Sequence, residues 1–280
     1  MILSLIRLTR PYYTVPLTAG LPVIAAYIAG GRPSAAEGSL LWALPALWSV
    51  LSAGYVLNDY CDIRFDAVNS PHRPLPGNEI APGTALAAAG GLFAAGLALA
   101  APCGLPFFLL LASVAAGLAA YDVYSKRLGL LKPVAVAVLT TSLYPLAFAL
   151  TDAADTPRLR VLAIHPVWLL LTTLGYEMLK DIRDIPGDRT VGNRRETERR
   201  AGPGYLLAAR AVLLAASLLT LLPYALGYCK DVYLLSAIAA IGLVVLAIRE
   251  RPVRAIPYVY ASVAVIAVGS AADLWAHGPW

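Results

Sequence analysis

Asp59, Asp62 and Asp66 follow an apolar run, and the same D-x-x-D-x-x-x-D spacing returns at Asp181, Asp184 and Asp188 after another apolar run. Carboxylates are costly beside hydrocarbon, so an acidic cluster at the end of a membrane-length segment marks a functional site. On a helix of about 3.6 residues per turn, positions three and seven apart fall near one face. A helix continuing through the first stretch therefore projects its three acids together, with Asn58 on the face of Asp62. In the second stretch Asp181 and Asp184 project together, Glu177 extends the stripe one turn back, and Pro186-Gly187 is expected to end the helix.

Two such faces meeting across a cavity need cations. Mg²⁺ suits them, because it takes oxygen ligands, keeps waters and completes its octahedron with substrate phosphates. Basic residues flank the same stretches: Arg64 and Arg73 after the first, Lys180 against the second, and Lys126 and Arg127 after the fourth apolar segment. Metal, guanidinium and ammonium groups together describe a diphosphate clamp. Solvated helix ends are the plainer reading of the acids, and the repeated spacing argues against it. Lys126 and Arg127 also fit ordinary anchoring of a span at the inner face. The run Arg194, Arg195, Arg199, Arg200 fits a lipid-headgroup contact or a solvated loop, with a cap over the diphosphate as the sharper reading. Asp122 stays open between a ligand and a helix-end charge. Tyrosine outnumbers phenylalanine 15 to 5; an interfacial belt explains most of this, while Tyr124 and Tyr176 stand close enough to the motifs to touch diphosphate or shield a cation.

The elements that must position these groups are membrane helices. The 280 residues are 59% hydrophobic and 14% charged, with mean hydropathy +0.68, whereas soluble domains carry roughly 25% charged residues. Apolar length and breakers predict nine spans near 12–30, 39–57, 83–101, 105–121, 133–151, 163–179, 204–222, 231–248 and 255–273. The predicted fold is all-α integral membrane, one domain over 1–280, with nine transmembrane helices bundled around a central cavity. The acidic motifs fall in the two longest connections, 58–82 and 180–203. They lie four spans apart and so share a face, which hints at a duplicated four-helix unit. With the N-terminus inside, seventeen Lys and Arg fall on the inner face and four (Arg32, Arg158, Arg160, Lys230) on the outer. The positive-inside rule then puts the N-terminus and both acidic loops in the cytoplasm and the C-terminus outside.

Other classes fit less well. Cys61, Cys103 and Cys229 give neither a disulfide framework nor a metal knuckle, and His72, His165 and His277 are too scattered for zinc. The first charges, Arg7 and Arg10, follow apolar residues, opposite to a cleavable signal peptide, so a mature N-terminus is expected. The net charge of +5 and pI near 9.1 reflect basic inner loops, not a nucleic-acid surface. A secondary transporter would carry acids deep within its spans, and here they lie at span ends.

The wider context of the motifs resembles the UbiA superfamily of intramembrane prenyltransferases. Asn58-Asp59-x-x-Asp62-x-x-x-Asp66 is similar to its first signature, and Asn69-Ser-Pro71-His-Arg73-Pro74-Leu-Pro76-Gly77 to the N-x-x-x-R-P-x-P tail of that signature. Tyr176-x-x-x-Lys180-Asp181-x-x-Asp184-x-x-Gly187-Asp188 resembles the second signature, Tyr124-Ser125-Lys126-Arg127 the family's Y-S-x-x-x-K segment, and Arg10-Pro11 the Arg-Pro that opens its first helix. The resemblance runs from residue 10 to 190. Lys132-Pro133 departs from the Gly-Asn that many relatives carry before the fifth helix, a departure on the acceptor side.

The resemblance implies Mg²⁺-dependent transfer of a prenyl group from an allylic isoprenyl diphosphate to an acceptor within the membrane. Asp59, Asp62, Asp66, Asp181, Asp184 and Asp188 would hold two metal ions, with Mn²⁺ able to substitute, and Asn58 would stand with them. Arg10, Arg64, Arg73, Tyr124, Lys126, Arg127, Tyr176 and Lys180 would hold diphosphate. Charge on the departing diphosphate is then stabilised most where it develops. The acceptor stays open among an aromatic acid, a quinone precursor, a glycerol phosphate lipid and a haem-like macrocycle. A membrane terpene cyclase of the same superfamily, using the clamp without an acceptor, is the alternative. The small residues of 87–101 favour an open lipid-facing channel, and with it the transferase.

Overall fold

A computed structural model describes residues 2–31, 36–191 and 194–278, without the side chains of Ala36, Glu37, Lys126, Arg194, Arg195 and Glu196. The described residues form helices and no strand. In chain order these are α1 (Ile2–Leu8), α2 (Pro11–Ile28), α3 (Ala36–Cys61), α4 (Ile63–Asn69), α5 (Pro82–Ala100), α6 (Leu105–Tyr124), α7 (Lys132–Thr141), α8 (Leu143–Phe148), α9 (His165–Arg183), α10 (Ile185–Val191), α11 (Arg194–Ala201), α12 (Pro203–Leu219), α13 (Leu222–Ala225), α14 (Asp231–Arg249) and α15 (Pro252–His277). Short 3₁₀ turns link several of them.

Eight helical stretches among the described residues are long and apolar enough to cross a membrane: Gly38–Cys61, Pro82–Cys103, Leu105–Tyr124, Gly129–Phe148, Pro157–Arg183, Pro203–Ala225, Asp231–Arg249 and Pro252–His277. They coincide with eight of the nine expected spans and make the chain a multi-pass membrane protein. The remaining expected span, 12–30, coincides with α2, which stands outside the eight. Three prolines and three tyrosines dilute its 18 residues.

The acidic stretches differ from the expected loops. Each is a helix, a one-residue break and a second short helix: α3 gives way to α4 at Asp62, and α9 to α10 at Asp184. Pro186-Gly187 does not end a helix. It lies in the first turn of α10, where a proline's missing N–H belongs to a group without an intrahelical partner anyway.

The chain divides into two compact units, Met1–Leu21 with Ala35–Lys132 and Asp184–Thr197, and Pro22–Ser34 with Pro133–Arg183 and Glu198–Trp280. In the first unit α3 packs along α5 and α6, and α4 packs on α10. Gly96 permits the α3–α5 approach: a Cβ there would stand 2.8 Å from Val50 Cγ2 and 2.9 Å from the Ala46 carbonyl oxygen. Such small-residue seams are how membrane helices come close, since lipid supplies no hydrophobic drive between them. Leu8, Val56, Leu75, Ile80, Ala85 and Ala89 form a core beneath the first acidic stretch. In that core Leu75 and Ile80 fasten the 71–80 segment, and Arg7 clasps its outer side through Glu79 at 2.8 Å and the His72 carbonyl at 2.9 Å.

In the second unit α9 lies between α12 and α15, and α14 pairs with α15. Gly175 lets α9 meet α12, where a Cβ would stand 2.6 Å from Leu213 Cγ. Met178, Leu179, Ala209, Leu213, Val244, Ile256 and Val259 bury the inner face of α9 just before Asp181. A second core, around Tyr27, Tyr144, Trp168, Cys229 and Tyr233, contains the fully buried ion pair of Arg158 with Asp273. Asp273 also accepts from the backbone N–H groups of Lys230 at 3.1 Å and Tyr233 at 3.2 Å, capping α14 from outside the helix.

Candidate active site

Within the first unit the break at Asp62 leaves the helical hydrogen bonds in place. Asp62 N–H reaches the Asn58 carbonyl at 2.9 Å and Asp66 N–H reaches the Asp62 carbonyl at 2.8 Å. The acids therefore keep near-helical register. Asp59 and Asp66 are buried and turn to one side, where Arg73 joins them, its Nη1 at 3.4 Å from Asp59 Oδ1 and 2.5 Å from Asp66 Oδ2. Burial raises the Asp66 carboxyl above the ordinary carboxylate range, and Arg73 draws it back only in part. Asp62 is half-buried at the break itself.

Arg10 forms an ion pair with the other side of this cluster, its Nη2 on Asp59 Oδ1, and lies over the Tyr55 ring at 5.1 Å. Its backbone φ of +47° sits in the left-handed region, which costs a non-glycine residue on the order of 1–3 kcal/mol and persists where surroundings enforce it. Between α1 and Pro11, that turn aims the guanidinium inward. Burial opposes the Arg10 charge, and Asp59 with Tyr55 and Tyr12 outweigh it, so the group is held charged.

Within the first unit the Asn69 side chain links α4 to the start of α10. Asn69, the last residue of α4, donates from Nδ2 to the Asp184 carbonyl at 3.0 Å and accepts from Gly187 N–H at 2.8 Å. The clamp explains the glycine: a Cβ at 187 would stand 2.5 Å from Asn69 Nδ2. Asp188 is buried and Asp184 half-buried on either side of this contact.

Asn58 donates to Asp122 Oδ1 at 3.2 Å, across the α3–α6 seam. Asp122 Oδ2 is buried and has no hydrogen-bond partner among the described residues.

The other predicted diphosphate residues are spread more widely. Arg64 is exposed on α4, and no hydrogen bond or ion pair joins it to the acids among the described residues. Tyr124 is exposed with Arg127 over its ring at 5.7 Å; the Lys126 side chain lies outside the described residues. In the second unit Lys180 pairs with buried Glu177 at 2.7 Å and lies over Tyr176 at 5.4 Å. Buried Asp181 meets Arg200 at 3.6 Å and accepts from the Tyr205 hydroxyl at 3.2 Å.

Three features escape a sequence reading. Arg10 and Arg73 neutralise acids instead of standing apart from them, Asn69 clamps the second stretch, and Tyr205 reaches Asp181. Asn69 and Arg73 carried a signal in the tail after the first stretch and Arg10 in its Arg-Pro pair, though none announced these partners; Tyr205 carried none.

The donor set fits Mg²⁺. Among the described residues no three His, Cys, Asp or Glu side chains stand together as a closed metal cage. Mg²⁺ does not need one, since one or two carboxylates with waters and substrate phosphates suffice. A buried carboxylate oxygen without a partner, at Asp122, is the kind of group such an ion completes.

The family model described as the UbiA prenyltransferase family matches residues 19–270. A digeranylgeranylglyceryl phosphate synthase of Natronomonas pharaonis is 33% identical over 242 residues, covering 85% of this chain and 83% of its own length. Among solved structures, a UbiA homologue from Aeropyrum pernix K1 superposes with TM-score 0.72 at 18% identity, covering 95% of this chain and 98% of its own. Another, from Archaeoglobus fulgidus and bound to GPP and Mg²⁺, superposes with TM-score 0.64 at 16% identity, covering 95% and 98%. These likenesses establish a shared fold.

Proposed function

The chain belongs to the UbiA prenyltransferase family, and from that membership we propose that it transfers a prenyl group from an allylic diphosphate to a lipid-like glyceryl phosphate acceptor, with Mg²⁺. The observation that carries this reading is the pairing of Arg10 and Arg73 with Asp59 and Asp66 in one buried cluster. Such a cluster holds two guanidiniums against carboxylates that a divalent cation would also attract. The glyceryl phosphate acceptor is supported by the relative named digeranylgeranylglyceryl phosphate synthase, and Mg²⁺ by the fold neighbour bound to GPP and Mg²⁺.

Bound Mg²⁺ supplies positive charge to the diphosphate as it leaves. Within the first unit Asp59, Asp62, Asp66, Asp184 and Asp188 would hold the cation. Asp59 and Asp66 would then release Arg73, freeing its guanidinium for charge-assisted bonds to the diphosphate oxygens. Arg10 adds further positive charge. The C1–O bond of the donor breaks with both electrons on diphosphate. The acceptor hydroxyl oxygen then bonds to C1 and its proton passes to the released diphosphate. The apolar surroundings would keep water from the allylic cation. With α2 counted as a ninth span, the charge bias of the connections supports a cytoplasmic motif face and N-terminus and a C-terminus outside.

The test is incubation of the purified chain with allylic diphosphates of graded length and a panel of acceptors, with products read by mass. A donor–acceptor adduct that forms with Mg²⁺ and vanishes on chelation is expected. Full product formation in excess chelator would refute the reading.

A further inference from the structure

Asp122 belongs to neither acidic stretch, yet it stands in the last turn of α6 against the first of them. It is 5% exposed, in a position where a helix-end charge would normally face solvent. The Asn58 amide fixes its Oδ1 at 3.2 Å, and Oδ2 is buried without a hydrogen-bond partner among the described residues. Among the described residues the charged groups acting on it are Asp62, Arg10 and Asp59. Arg10 is committed to Asp59, and the other two repel a carboxylate. An acid held this way is costly unless something positive meets it.

We infer that Asp122 is a further oxygen ligand of the divalent cation on the Asn58–Asp62 face, with Oδ2 the atom that faces the ion and Asn58 the residue that orients it. The inference rests on the proposed prenyl-diphosphate chemistry and adds a ligand outside both acidic stretches. In the metal-free chain Arg10 and Arg73 balance Asp59 and Asp66; a bound cation would balance Asp122 beside Asp62. Asp122→Asn keeps the shape and still offers Asn58 an oxygen, so it removes charge and little else.

The experiment is Mn²⁺ titration of the detergent-solubilised full chain, followed by electron paramagnetic resonance with inorganic diphosphate present. Apparent melting without metal is measured alongside. Asp122→Asn is expected to weaken Mn²⁺ binding at least tenfold, since losing even an outer-shell partner costs about tenfold to a hundredfold, with metal-free melting unchanged or raised. Asp122→Glu, which restores the charge, should recover part of the affinity, and the Asn–Glu comparison holds even if both variants melt lower. Wild-type Mn²⁺ affinity in Asp122→Asn, with affinity lost in Asp62→Asn, would overturn the inference and leave the proposed function standing. Asp122→Glu binding Mn²⁺ no better than Asp122→Asn would overturn it in the same way. An unaltered chain that binds no Mn²⁺ beside diphosphate would overturn both.

Discussion

Gly187→Ala probes the contact that sets one acidic stretch against the other. The added methyl would meet Asn69 Nδ2 at 2.5 Å, Cγ at 2.7 Å and Oδ1 at 2.9 Å, all closer than real contacts allow. Asn69 cannot swing aside freely, because its amide is held at both ends, to the Asp184 carbonyl at 3.0 Å and by Gly187 N–H at 2.8 Å. Relief means giving up both bonds, at about 1 kcal/mol net each. Alanine returns at most about 1 kcal/mol of helix propensity in α10, leaving a loss of about 1–2 kcal/mol. Asn69→Ala loses the same two bonds without a clash, about 2 kcal/mol. In the double variant nothing is left to collide and no bond remains to be lost, so it should be no less stable than Asn69→Ala alone. The assay is the apparent melting of the four proteins in one detergent, with turnover measured beside it. Displacing Asp184 and Asp188 from register should lower turnover at least tenfold in each single variant, since about 1.4 kcal/mol in the barrier suffices. Additive losses of stability in the double variant, or wild-type melting and turnover in Gly187→Ala, would refute the clamp.

Asp62→Asn and Asp184→Asn keep side-chain size and remove a charge, and each should cost well over tenfold in turnover, a loss that about 1.4 kcal/mol already produces; near-normal rates in both would remove the metal reading. Arg158→Met leaves Asp273 buried beside a partner it has lost, and breaking a buried pair this way costs about 3–5 kcal/mol. A large drop in melting is expected, while the molecules that remain folded bind Mg²⁺-diphosphate as before; unchanged melting would mean the pair is not a structural tie. Cysteine introduced at Asn78 should be labelled from the cytoplasm and cysteine at Ala154 from the opposite side, and the reverse pattern would invert the topology.

The parts of this fold legible in the sequence are those governed by local rules. Apolar length located the helices from Gly38 onward, and the aspartate spacing located both acidic stretches. Local rules also explain the misses. The expected span 12–30 does form a helix, α2, with three prolines and three tyrosines among its 18 residues, and it stands outside the eight longest apolar stretches. The breaks at Asp62 and Asp184 carry no proline or glycine of their own, so the long connections read as loops. Partnerships were the least legible. Arg73 lies seven residues beyond Asp66, and the sequence presents it as one more cation near an acidic run; only the folded 71–80 segment, fastened by Leu75 and Ile80, turns it back onto Asp59 and Asp66. Asn69 is 118 positions from Gly187, and no local pattern announces that an amide will read another segment's backbone. Asp122 is decided by burial alone, which one sequence does not display.

The central claim is that the clamped diphosphate leaves in order to deliver its prenyl group to a second molecule. The direct measurement supplies geranylgeranyl diphosphate and Mg²⁺ to the purified chain, with and without a prenylated glyceryl phosphate, following diphosphate release and product mass together. Slow release that accelerates with the acceptor and yields the adduct of the two masses is the predicted result. Release at full rate without acceptor, giving a cyclic hydrocarbon or terpene alcohol, would contradict it.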